Sequence, residues 1–194
     1  MSSIDTTVKP SGPPPENKGS IGPGVIDVGL RFLLFATALV SVIVMVTSKQ
    51  TKLFPVPMVP GLSIAIVAKF NQSPAFIYFV VALSVACLYS VISGVLSIFV
   101  LMKPGGNSTK LQFHFVILDV LLFGIVAAAM GAAGGVGYIG FRGNSHTQWK
   151  KVCNDFGSFC SHFAASIFLS LISSITLLLL VWLSVYALSK KISK

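Results

Sequence analysis

Four long apolar runs, at about 25–46, 75–101, 113–139 and 163–188, constrain this chain more than any other feature of its sequence. Each exceeds the ~20 residues that a helix needs to cross the hydrocarbon core of a bilayer. Their many Val, Ile and Phe residues would argue for strands in water. Run length decides for helix, because a backbone spanning lipid has to satisfy its own hydrogen bonds. Composition agrees: the chain is 54% hydrophobic and 10% charged, where soluble domains carry roughly 25% charged residues. The expected fold is an all-α membrane protein, a four-transmembrane-helix bundle forming one membrane domain over residues 25–191. Residues 1–24, with Pro13-Pro14-Pro15 and several glycines, are expected to be a disordered cytosolic tail, and residues 192–194 a basic tail end. The tail does not read as a signal peptide, since its apolar run comes late and no small-residue cleavage signal closes it.

Four spans put both termini on one side of the membrane. With the termini in the cytosol, Lys9, Lys18, Lys103, Lys110, Lys190, Lys191 and Lys194 are cytosolic. Lys49, Lys52, Lys69, Arg142, Lys150 and Lys151 are then outside, so the positive-inside signal is weak. Cys153 and Cys160 supply a second argument, since a loop holding them would lie where disulfides persist. Both considerations favour cytosolic termini. Asn71 of Asn71-Gln72-Ser73 is then an outside glycosylation candidate, whereas the sequon at Asn107 would face the cytosol unused. The net charge of +9 sits in short loops and tails, which points to anionic lipid headgroups rather than to nucleic acid.

A carboxylate inside a span is costly and needs a partner. Asp119 lies six residues into the third run, and Arg31 lies six residues into the first. At ~1.5 Å rise per residue, both sit roughly 9 Å deep. Matched depth would let guanidinium and carboxylate meet in bidentate geometry if the two helices are neighbours. Asp27, four residues before Arg31, is a rival partner on the same helix. The pair Arg31–Asp119 is preferred because the deeper carboxylate has the greater need.

Helices in lipid associate through small residues and hydrogen bonds. Ala86, Ser90, Ser93 and Ser97 make one narrow face on the second run, and Ser166, Ser170 and Ser173 make another on the fourth. Gly131 and Gly135 form a GxxxG pair on the third. Each face serves either packing within one bundle or contact between protomers. The glycine-rich outer end of the third run has low helix propensity and is expected to be irregular. In the first outer loop, Pro55, Pro57 and Pro60 favour an extended chain, and the apolar stretch 53–59 is expected to pack on the bundle or a partner. Tyr78, Trp182 and Tyr186 are placed as interfacial anchors, and Cys87 as a small packing residue.

Cys153 and Cys160 close a short ring if bridged, worth about 2–3 kcal/mol; free thiols are the alternative if this loop were cytosolic. Trp149 just upstream would cover the bridge or rest at the headgroups. His146 and His162 share the loop, yet His and Cys lack zinc-ligand spacing, so no metal is expected. No phosphate-binding glycine loop and no nucleophile–base pair is evident, so neither a cofactor nor enzymatic activity is expected.

The arginine in the first span, the aspartate in the third, and the outer loop Trp149-Lys150-Lys151-Val152-Cys153 with Phe156-Gly157-Ser158-Phe159-Cys160 resemble the Casparian strip membrane protein family of land plants. The resemblance spans about residues 25–191. The stretches 73–82 and 143–149 are similar to the CASP-like branch. It implies a four-span plasma-membrane protein related to MARVEL proteins, with both termini cytosolic and Arg31 and Asp119 as the intramembrane pair. It also implies homo- and hetero-oligomers that form membrane domains guiding local cell-wall modification. The strip-forming members carry an aromatic, acidic first outer loop, whereas residues 47–74 here are basic, proline-rich and without an acid. The favoured function is a self-associating plasma-membrane scaffold with membrane lipids and copies of itself or of related proteins as partners. The alternative is a small transporter or channel with Arg31 and Asp119 in a polar pathway.

Overall fold

A computed structural model describes residues 23–55, 63–102, 108–146 and 150–192. Four of its helices are long and apolar enough to cross a membrane: α1 (Pro23–Thr47), α2 (Pro74–Met102), α3 (Ser108–Arg142) and α5 (Gly157–Ile192). A short α4 (Val152–Asp155) precedes the last. The helices outrun the apolar runs: α3 and α5, at 35 and 36 residues, are longer than the ~20 residues that a span needs and carry polar residues at their ends. The expectations for the tail at 1–22, for Pro57 and Pro60, for Asn107, for Trp149 and for residues 193–194 lie outside the described residues.

The outer end of α3 is not irregular. The helix continues through Gly131, Gly134, Gly135, Gly137 and Gly140 to Arg142. Glycine costs about 1 kcal/mol per residue against alanine in water, but in lipid any break would strand backbone groups without partners at several kcal/mol each. The helix stops only past the apolar run. There Gly143, at φ 72°, takes the left-handed conformation, and its N–H bonds the Ile139 carbonyl at 2.7 Å. Arg142 in the last turn complements the helix dipole.

Helix contacts run α1–α2, α2–α3, α3–α5 and α5–α1, so the spans form a ring with α1 and α3 on one diagonal. The core contains Leu34, Ala38, Met45, Phe79, Leu83, Val126 and Leu177, all nearly or wholly buried. On the α1–α5 seam the serine face of α5 is consumed. Ser41 and Ser166 exchange hydroxyl-to-carbonyl hydrogen bonds at 2.8 Å in both directions. Thr37 and Ser173 hydroxyls meet at 2.8 Å, and Ser166, Ser170 and Ser173 are fully buried. Such reciprocal bonds need backbones brought close by small side chains. The protomer-contact alternative for Ser166, Ser170 and Ser173 therefore falls away. On α2, Ala86 and Ser93 are fully buried, and Cys87 is half-buried with its thiol 3.9 Å from the Phe35 carbonyl oxygen.

Outside the helices, β1 (Lys49–Pro55) and β2 (Ser63–Lys69) pair antiparallel, with Lys49 opposite Lys69 and Phe54 opposite Ile64. The described parts of the loop between α1 and α2 are thus extended, paired as the two strands of a hairpin. A 3-10 turn, Phe70–Gln72, carries exposed Asn71 and leads into α2, which opens on Pro74, a residue suited to a first helical position.

Candidate functional site

Two groups of side chains are candidates for function, one within the spans and one on a cap at the end away from the termini. The first is built around Arg31. Its depth on α1 follows from the run, and it packs beside Gly94 of α2, where an added Cβ would stand in ordinary contact 3.9 Å from Arg31 Cβ. Arg31 is 2% exposed and Asp119 is fully buried. The guanidinium Nε donates to Asp27 Oδ2 at 3.0 Å, while Nη2 stands 3.5 Å from Asp119 Oδ2. Arg31 thus reaches both carboxylates, and the shorter contact goes to the same-helix rival. A bidentate Arg31–Asp119 pair is not formed, because α1 and α3 lie on the ring's diagonal and the arginine spans the bundle axis to reach α3.

Asp119 is held as well by a residue that sequence reasoning missed. The Tyr89 hydroxyl on α2 donates to Asp119 Oδ1 at 2.6 Å. Ser97 donates to Asp27 Oδ2 at 2.8 Å, and the Arg31 guanidinium carbon lies 5.0 Å from the centre of the Phe115 ring. The signal for Tyr89 was present: it stands four residues before Ser93 on the small-residue side of α2, and a phenol inside a span needs a hydrogen-bond partner. Two carboxylates, one guanidinium and two hydroxyls therefore form one network that ties α1, α2 and α3. Two atoms are left over. Arg31 Nη1 and Asp119 Oδ2 are buried without a hydrogen bond.

The second group caps the end of the bundle away from the termini. Cys153 and Cys160 are bridged, with Cα atoms 5.7 Å apart, tying α4 to the first turn of α5. Phe156, 6% exposed, lies between the two cysteines in sequence and meets Phe54 of the hairpin at 6.1 Å between ring centres. The Phe159 N–H, one of the unpaired donors of the α5 N-terminus, bonds Gln50 Oε1 at 3.0 Å. Hairpin and bridged loop are thereby locked into one cap.

Gly131 and Gly135 lie on the exposed side of α3, and a Cβ added at either meets nothing within 4 Å. The close approach on that helix is instead at Gly137, where an added Cβ would overlap the Phe163 ring. Trp182 and Tyr186 are 73% and 62% exposed on α5, as interfacial anchors require. Among the described residues no group of three or more His, Cys, Asp or Glu side chains could hold a metal ion.

A family profile described as the Casparian strip membrane protein domain matches residues 22–176. The CASP-like protein 1D1 of Vitis vinifera is 51% identical, with the whole of both chains covered. The CASP-like protein 1 of Panax ginseng is 59% identical over 77% of this chain and 100% of its own. The CASP-like protein 1D1 of Populus trichocarpa is 51% identical over 87% of this chain and 85% of its own. No solved structure matches. The matched region contains all three charged positions of the buried network, Asp27, Arg31 and Asp119, and the bridged cap, and on these matches the chain belongs to the Casparian strip membrane protein family.

Proposed function

We propose that this protein is a plasma-membrane scaffold that assembles laterally with copies of itself and with related chains, its termini in the cytosol and its bridged cap outside. The observation that carries this reading is the uncovered glycine pair Gly131 and Gly135. The serine face of α5 is spent inside the bundle, and so are Ala86 and Ser93 of α2. The pair on α3 remains open, flanked by exposed Ala128 and Ala132. In lipid, apolar burial drives no association, whereas a strip without side chains lets a second backbone come close. The alternative, a transport pathway through Arg31 and Asp119, is less well supported, because buried apolar residues such as Leu34, Leu83 and Val126 fill the core next to the charged network.

Replacing both glycines by leucine is expected to lower the cross-linked oligomer several-fold and to speed lateral diffusion. Surface level and the Cys153–Cys160 bridge should persist, since neither site has a neighbour to displace. Unchanged cross-linking would refute assembly through this face. Orientation has its own check. A membrane-impermeant thiol reagent should label Cys153 and Cys160 on intact cells only after reduction; labelling that requires permeabilisation would invert the topology.

A further inference from the structure

The outer cap is strongly basic. Lys49, Lys52 and Lys69 lie on the hairpin, Arg142 ends α3, and Lys150 and Lys151 precede α4, all of them exposed. Asp155, half-buried, is the one acid among the described residues of that end. The strand register sharpens this picture. Side chains alternate between the faces of a strand, so Gln50, Lys52 and Phe54 share a face. Gln50 and Phe54 turn that face toward α5 and the bridged loop. Lys49 and Lys69 are directly paired and belong to the opposite face. Like charges opposite each other in an antiparallel pair repel, with Cβ atoms about 5 Å apart. Neither lysine forms an ion pair among the described residues.

Two unfavourable arrangements thus coincide at one place. Lysines face each other across the hairpin, and basic residues crowd the end that the positive-inside tendency would deplete. An anionic partner turns both into attraction. We propose that the cap binds an acidic polysaccharide, a polyuronate, whose carboxylates bridge Lys49 and Lys69 and then follow the remaining cations of the cap. A chain of repeated carboxylates matches cations that are distributed over hairpin, helix end and loop. Anionic phospholipid is the poorer fit, because such headgroups concentrate in the cytosolic leaflet. Leu53, on the same hairpin face as the two lysines and 68% exposed, adds an apolar contact for the sugar ring.

This inference rests on the orientation proposed above, and its test separates the two. Full-length protein is placed in phosphatidylcholine nanodiscs at about 10 mM salt, where charges act over about 30 Å, and titrated with fully de-esterified polygalacturonate. Binding is expected to be absent with the methyl-esterified polymer and to weaken about tenfold in K49Q/K69Q. The cytosolic control K190Q/K191Q should bind as wild type does. No binding by wild type, or equal losses in the two double variants, overturns the proposal. So does protection of Lys49 and Lys69 from acylation in a second set of discs containing phosphatidylserine but not by polygalacturonate in the phosphatidylcholine discs, which would assign these charges to headgroups. If the polymer binds but Cys153 and Cys160 label only after permeabilisation, the orientation fails and takes the polysaccharide with it. If the polymer does not bind and the cysteines label on intact cells, only the present proposal fails.

Discussion

Arg31→Ala should be the most damaging single substitution in the spans, costing roughly 3–5 kcal/mol, because it leaves buried carboxylate without its counter-charge. That is a large part of the 5–15 kcal/mol by which a typical domain is stable. Asp119, fully buried, would keep only the Tyr89 hydroxyl at 2.6 Å, and Asp27 would keep Ser97 at 2.8 Å. Asp27 is 21% exposed and better able to recruit water, so the loss falls mainly on Asp119. Arg31→Ala combined with Asp119→Ala should therefore recover much of the stability and surface level that Arg31→Ala loses. Asp119→Asn should be milder than Arg31→Ala, as Arg31 retains its 3.0 Å bond to Asp27 and the amide oxygen can still accept from Tyr89. Arg31→Lys should be intermediate, since one ammonium cannot reproduce the planar fork that faces two carboxylates. Thermal unfolding in detergent and surface labelling in cells measure this order. Single variants as stable as wild type would refute the network.

The second large effect is expected at Gly137. A side chain there collides with the Phe163 ring, which also meets Phe76 at 5.1 Å between centres; Phe76 in turn meets Phe159 at 6.4 Å. This aromatic cluster joins α2, α3 and α5 near the outer cap, so displacing Phe163 disturbs three helices. Gly137→Leu should cost about 1–3 kcal/mol by overpacking, despite a gain of up to about 1 kcal/mol in helix propensity. Gly131→Leu supplies the control on the same helix. It has the same propensity gain and no neighbour within 4 Å, so the folded protomer should be unharmed. Adding Phe163→Ala should relieve the collision and restore part of what Gly137→Leu loses. Equal thermal midpoints for Gly137→Leu and Gly131→Leu would show that the α3–α5 seam yields more readily than this packing implies.

Much of the architecture is legible without coordinates. Run length against bilayer thickness gives four spans, and the need of a lipid-embedded backbone for internal hydrogen bonds makes them helices. The same need explains why α3 passes unbroken through its glycines, where propensity learned in water points the other way. Counting depth along the runs brought Arg31 and Asp119 to a common level, and the short spacing of Cys153 and Cys160 suited a bridge. Each of these is a local or one-dimensional property, set by composition, spacing and the thickness of the solvent.

What the chain's order could not supply was the arrangement of helices around the ring. Spacing marks a narrow face but does not say what covers it: Ser166, Ser170 and Ser173 are sealed against α1, while Gly131 and Gly135 stand open. Nor could spacing place α1 and α3 on a diagonal, which makes Arg31 reach across the axis, share itself between Asp27 and Asp119, and leave Tyr89 to donate the hydrogen bond that Asp119 Oδ1 accepts. The hairpin that sets Lys49 beside Lys69, and the approach that makes Gly137 rather than Gly131 the tight position, are likewise contacts between segments distant in sequence. The sequence by itself determined which segments enter the membrane and which charges must find partners, because transfer into lipid is decided segment by segment. Only the tertiary structure decided which partners they find, because helix packing in lipid turns on which small faces meet, and several pairings satisfy the same spacing.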